Sequence, residues 1–142
     1  MSHWLLFFLY LLFGSAQAQT LVDWEQLSEV FFVEKMDLGT RYVIHKPHFS
    51  EVIKALEGKK IEINGYILPL DVDGGAYALS AYPYSACFFC GGAGLASVMD
   101  VWFAEPNQHY QLDEKVKLHG ILKLNDSGEG LLYLLDEAIE VE

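Results

Sequence analysis

Two runs of strict period-two alternation, each carrying a glycine at its centre, limit what this chain can fold into. In the first, Ile61, Ile63, Gly65 and Ile67 alternate with Glu62, Asn64 and Tyr66; in the second, Val116, Leu118, Gly120 and Leu122 alternate with Lys117, His119 and Ile121. Alternation of this kind puts one apolar and one wetter face on a β-strand. A glycine inside a strand weakens it unless the strand must bend sharply or admit a close neighbour, as at the corner of a barrel. The first run predicts a strand ending near Pro69, and Lys115 to Leu124 predicts another. Ala76 to Tyr82, Ser97 to Ala104 and a stretch beginning at Leu131 complete five strands. The turns lie at Asp71-Val72-Asp73-Gly74-Gly75 and Asn125-Asp126-Ser127-Gly128-Glu129-Gly130. A mainly β fold follows, an OB-like five-stranded Greek-key barrel; the competing arrangement is an open antiparallel sheet with a helix across one face.

Ahead of the strands the reading is helical. Thr20 with Asp23 three residues on predicts a capping box opening a short helix through Trp24 and Leu27. After Pro47, residues Phe49, Val52, Ile53 and Leu56 fall at i, i+3, i+4 and i+7, and Gly58 supplies the stop. Arg41-Tyr42-Val43-Ile44 reads as a short strand between them. The expected domains are therefore a leader at 1–18, a helical segment at 19–57 and the barrel at 58–142.

The leader comes from Trp4-Leu5-Leu6-Phe7-Phe8-Leu9-Tyr10-Leu11-Leu12-Phe13, an apolar run shorter than the roughly 20 residues a bilayer span needs. Ala16-Gln17-Ala18 follows as an A-x-A cleavage pattern, so the chain is expected to be cut before Gln19 and exported. An uncleaved anchor is the alternative. The first 18 residues carry no Asp, Glu, Lys or Arg, so the formal charge of −11 belongs to the remainder. A surface of that sign argues against nucleic acid, whose backbone rewards clustered Lys and Arg. It permits a basic protein partner or a cation.

The chemistry is concentrated in Tyr82-Pro83-Tyr84-Ser85-Ala86-Cys87-Phe88-Phe89-Cys90-Gly91-Gly92-Ala93-Gly94, which holds the only two cysteines. Three states are open to a C-x-x-C pair in an oxidising compartment. As a structural disulfide it closes a short loop and adds only ~2 kcal/mol. As a redox pair of the thioredoxin kind it should stand at a helix N-terminus in a βαβ unit, which the flanking strands do not offer. As thiolates on zinc or copper(I), Cys87 and Cys90 supply half of a tetrahedral site. The rest would come from His45, His48, Asp100, His109 or His119, or from a second copy in a homodimer. Tyr82, Tyr84, Phe88 and Phe89, with Gly91 and Gly92, form a candidate partner-binding patch, aromatic rings being enriched at interface cores. Of the adjacent Trp102 and Phe103, at most one faces the core. No nucleophile–base constellation is visible.

The blocks Gly58-Lys59-Lys60-Ile61, Gly65-Tyr66-Ile67-Leu68-Pro69-Leu70, Leu79-Ser80-Ala81-Tyr82-Pro83 and Cys87-Phe88-Phe89-Cys90-Gly91 resemble an exported bacterial family known as domain of unknown function 3299. The resemblance covers roughly Leu56 to Glu140. It implies an OB-like domain in the periplasm of a Gram-negative bacterium, acting as a binding or accessory protein beside ABC-type transporter components, with links to metal supply. It implies no established activity.

Overall fold

A computed structural model describes residues 18–71, 75–106 and 108–142. The expected leader thus lies, but for Ala18, outside the described residues, as do Val72, Asp73 and Gly74 of the first turn.

The alternating runs form the strands they predict. β4 (Lys60–Pro69) and β7 (Lys115–Leu124) pair antiparallel, with Ile61 opposite Gly120 and Gly65 opposite Val116. At Tyr66 the far half of β4 leaves β7 and pairs with β5 (Tyr77–Ser80). One strand therefore serves two neighbours, and it changes partner immediately after its central glycine. A Cβ on Gly65 would lie 2.7 Å from both Leu79 Cγ and the Ser80 carbonyl oxygen. On Gly120 it would lie 2.6 Å from Leu135 Cγ, where the β7–β8 register shifts. Both glycines are thus close-approach positions at barrel corners.

β5 continues antiparallel to β6 (Val98–Phe103), β6 runs parallel to β8 (Tyr133–Glu140), and β8 returns antiparallel to β7. The order β4-β5-β6-β8-β7 closes through the β4–β7 pairing into a five-stranded OB-like barrel. Its interior is filled by Ile61, Ile63, Ile67, Leu79, Met99, Leu118, Leu122 and Leu135, all fully buried. Phe103 packs against this core while Trp102 stays exposed.

The N-terminal segment is more mixed than expected. β1 (Thr20–Leu21) lies parallel to β4, and α1 (Trp24–Leu27) follows. The capping box stands three residues on from the expected one: Asp23 is the N-cap and accepts from the Gln26 N–H, while the Gln26 side chain accepts from the Asp23 N–H. Thr20 is instead in β1. α1 is tied to the barrel by the Trp24 indole N–H on the Asn64 carbonyl (2.8 Å) and by the buried Tyr133 hydroxyl, which donates to the Leu27 carbonyl (2.6 Å).

A hairpin, β2 (Val30–Met36) and β3 (Val43–Phe49), occupies the region read only as a short strand. The helix expected after Pro47 shrinks to α2 (Glu51–Lys54), capped by Ser50, because Pro47 and Phe49 belong to β3. Phe49 and Leu56 are still buried, the first from a strand and the second from the turn after α2.

Candidate functional site

Residues 81–97 leave the barrel between β5 and β6 and fold into three single 3-10 turns, Tyr84–Ala86, Phe88–Cys90 and Leu95–Ser97. The excursion is closed at its base by the Ala81 N–H on the Ser97 carbonyl (2.9 Å). The buried Ser80 hydroxyl accepts from the Tyr82 N–H. Further out, the Tyr84 N–H donates to Asp113 Oδ1 at 2.7 Å, pinning the loop to the segment that leads into β7.

The two cysteines end in opposite environments. Cys87 is completely buried in a small cluster with Leu68, Ala78 and Val98, flanked by Phe88 and Leu131. Cys90, one 3-10 turn later, is exposed, and both thiols are free. The Cys87 carbonyl accepts from the N–H groups of Cys90 (3.3 Å) and Gly92 (3.0 Å), which winds the backbone tightly around the first cysteine. Gly91 follows in the left-handed region at φ 74°, a conformation L-residues resist. At Gly92 a Cβ would sit 2.7 Å from the Ala86 carbonyl carbon and oxygen, so two stretches of main chain pass here with no room for a side chain.

The loop also carries exposed aromatic rings. Tyr82, Tyr84 and Phe89 are each about half exposed, at 50%, 48% and 46%. Phe88 packs edge-on to Phe89, with centroids 5.5 Å apart, and itself turns inward against Cys87's cluster. The Cys90 thiol beside it raises the Tyr84 phenol's pKa above its ordinary value, with smaller contributions from burial and from Cys87. On the other side of the loop, Tyr82, Ala86, Gly92 and Ser97 join Trp24 and Glu25 of α1 to line a cavity of about 550 Å³.

All the residues expected to act together, Tyr82, Tyr84, Cys87, Phe88, Phe89, Cys90, Gly91 and Gly92, thus lie in one hydrogen-bonded excursion. The further metal-ligand candidates are not. His45 and His48 are on β3, where His48 stacks on Phe31 (5.2 Å). His119 is bound to Glu62 across the β4–β7 ladder at 2.6 Å. Asp100 and His109 line a separate cavity of about 530 Å³ with Tyr77 and Trp102. Among the described residues no three His, Cys, Asp or Glu side chains gather as a metal site. Two residues escaped the sequence reading: Asp113, which holds the loop through its carboxylate, and Trp24, which walls its cavity. Asp113 adopts φ 63°, unusual for a non-glycine residue, and nothing in its local sequence distinguishes it from an ordinary turn aspartate.

No family model and no curated protein matches this chain. A solved structure does. The fold is similar to that of a DUF3299 family protein from Pseudomonas aeruginosa PAO1, known from a crystal structure, with a TM-score of 0.52 over 88% of this chain and 97% of that one. At 17% identity the likeness is one of fold. The family described for that structure is the one the cysteine motif resembles, so motif and fold point the same way.

Proposed function

We propose that this protein is an exported binding or accessory protein whose recognition surface is the cysteine loop, and whose partner class is the membrane components of an ABC-type transporter. The observation that carries the first half is the set of half-exposed rings, Tyr82, Tyr84 and Phe89, held on a backbone with little freedom to collapse. Rings fixed in advance lose little conformational entropy on docking, which favours their use as anchors. The transporter half rests on the family resemblance. Affinity capture from native membranes with wild type and with the Tyr82→Ala/Phe89→Ala variant tests both halves. Transporter subunits recovered by the wild type and lost by the variant support the reading; equal recovery by both, or recovery of nucleic acid alone, overturns it.

The thiols add a second reading, favoured by their placement beside one hydroxyl. Oxidation of Cys87 and Cys90 to a disulfide would remove two protons and two electrons, passed to a disulfide-donating partner. It would change the surroundings of the Tyr84 hydroxyl, which lies beside Cys90. Zinc or copper(I) would meet one exposed thiol at Cys90; Cys87 would have to leave its apolar cluster to complete half of a tetrahedral set, and the other ligands would come from a second chain. Alkylation of native and unfolded protein, with metal analysis of protein purified without chelator, separates the states. Free thiols and no metal leave recognition alone, blocked thiols indicate the disulfide, and one metal per two chains indicates a shared site.

A further inference from the structure

The β2–β3 hairpin carries apolar side chains that the barrel does not cover. Phe31, Phe32, Val33, Met36, Leu38, Tyr42 and Val43 are exposed, Leu38 at 89% and Tyr42 at 75%. A monomeric soluble protein seldom leaves so many large apolar side chains exposed on one element without use, and a two-stranded ribbon is marginal unless something supports it. The root is supported: Phe49 and Pro47 are buried, and the His45 carbonyl lies against Gly128. The tip is built as well. Asp37 Oδ1 accepts from the Gly39 and Thr40 N–H groups and the Thr40 hydroxyl, bonds that lower its pKa. A preformed tip that offers Leu38 and Tyr42 to solvent is shaped for an outside surface.

Charge says which surface. Residues 30–49 hold Lys35, Arg41 and Lys46 against Glu34 and Asp37, a net of +1, so the remainder of the chain carries −12. We propose that the hairpin is a membrane-docking arm. Leu38, Tyr42, Met36 and Val43 enter the interfacial layer of an anionic phospholipid bilayer, and Lys35, Arg41 and Lys46 meet its headgroups. From the Glu34–His45 pair to the Asp37–Tyr42 pair at the turn the ribbon takes three strand steps, roughly 10 Å. That exceeds the Debye length of ~8 Å at physiological salt, so the acidic barrel is screened from the bilayer while the tip touches it. No helix of the described residues is long and apolar enough to cross a membrane. A second copy is the weaker occupant. Two chains of −11 repel one another, and Lys35, Lys46 and Pro47 are residues that blunt strand edges against pairing.

The test is flotation of the full chain with vesicles of phosphatidylcholine, alone or mixed with phosphatidylglycerol, across a salt series. Wild type and variants share residues 1–17, so binding through that apolar run is common to all and the comparison isolates the hairpin. Leu38→Asp/Tyr42→Asp should weaken binding to the mixed vesicles about tenfold or more. Lys35→Gln/Arg41→Gln should weaken it roughly fivefold per cation, with little change on neutral vesicles. The glutamine pair also decides the matter should the aspartate pair fail to fold, because both positions are solvent-exposed. Variants that bind like wild type overturn the proposal. So does a dimer, seen by light scattering, that Leu38→Asp turns into monomer, because the hairpin would then serve a second copy.

Discussion

Replacing Gly91, Gly92 and Gly94 by alanine, one at a time, should produce three different answers from three neighbouring residues. At Gly94 the backbone is extended (φ −77°, ψ 163°) and a Cβ meets nothing within 4 Å. Gly94→Ala therefore loses no contact, narrows the unfolded ensemble and should raise stability by about 0.5 kcal/mol. At Gly91 there is equal space, but φ is 74°, so alanine carries only the left-handed penalty, about 1 kcal/mol. At Gly92 the obstacle is steric. The three nearest atoms, 2.7, 2.7 and 2.9 Å from the added Cβ, all belong to the main chain of Ala86, which cannot rotate away as a side-chain tip could. Separating them also pulls on the 3.0 Å bond from the Gly92 N–H to the Cys87 carbonyl. Overpacking of this sort costs about 2–3 kcal/mol. For a domain of roughly 120 residues, 1 kcal/mol moves Tm by about 4 °C. Circular-dichroism melts should then show Gly94→Ala at or slightly above wild type, Gly91→Ala about 4 °C below, and Gly92→Ala about 10 °C below. If the loop yields locally instead, the strain appears as alkylation of the otherwise buried Cys87 under native conditions. Gly92→Ala matching Gly94→Ala in both melt and alkylation would refute the close-packed loop.

Two further outcomes are expected elsewhere. Tyr133→Phe removes the hydroxyl that donates to the Leu27 carbonyl at 2.6 Å in a buried setting, leaving that acceptor unpaired. The cost should be about 1–2 kcal/mol with the fold intact, seen as a lower urea midpoint at unchanged slope; an unchanged midpoint contradicts the link between α1 and the barrel. Asp100 on β6 has its carboxyl pKa raised by burial. The native state thus keeps that proton to higher pH than the unfolded chain does, and stability falls as pH rises from about 4 through the raised native value. Asp100→Asn should lose that fall and gain, after solvent screening, less than about 1 kcal/mol at neutral pH; an Asn variant no more stable than wild type at pH 7 contradicts the assignment.

How far the sequence revealed this structure depended on whether the deciding contacts were local. β4 and β7 were legible because apolar residues alternate along them, and Gly65 and Gly120 marked the corners because nothing else tolerates a mid-strand Cβ 2.6–2.7 Å from a neighbour. The β2 strand was not. Val30-Phe31-Phe32-Val33 shows no alternation, since the hairpin leaves apolar groups exposed on both faces and the barrel imposes no inside on it. The same absence made Pro47 and Phe49 look like the start of a helix, when pairing with β2 holds them in a strand. At the site, the C-x-x-C-G spacing and its aromatic neighbours picked out the loop. The burial of Cys87 against the exposure of Cys90 is set by Leu68, Ala78 and Val98 from β4, β5 and β6, contacts that no local pattern announces. Asp113 likewise reaches Tyr84 from 29 residues away.

The claim that the cysteine loop is the recognition surface is tested most directly by site-specific photocrosslinking in the native cell envelope. A photoreactive residue would replace Phe89 on the loop in one strain and Glu137 on β8, an exposed position outside the loop, in another. The loop probe should give a discrete adduct with a membrane transporter subunit, diminished by Tyr82→Ala, while the Glu137 probe gives none. Adducts of equal yield from both positions, or from Glu137 alone, would contradict it.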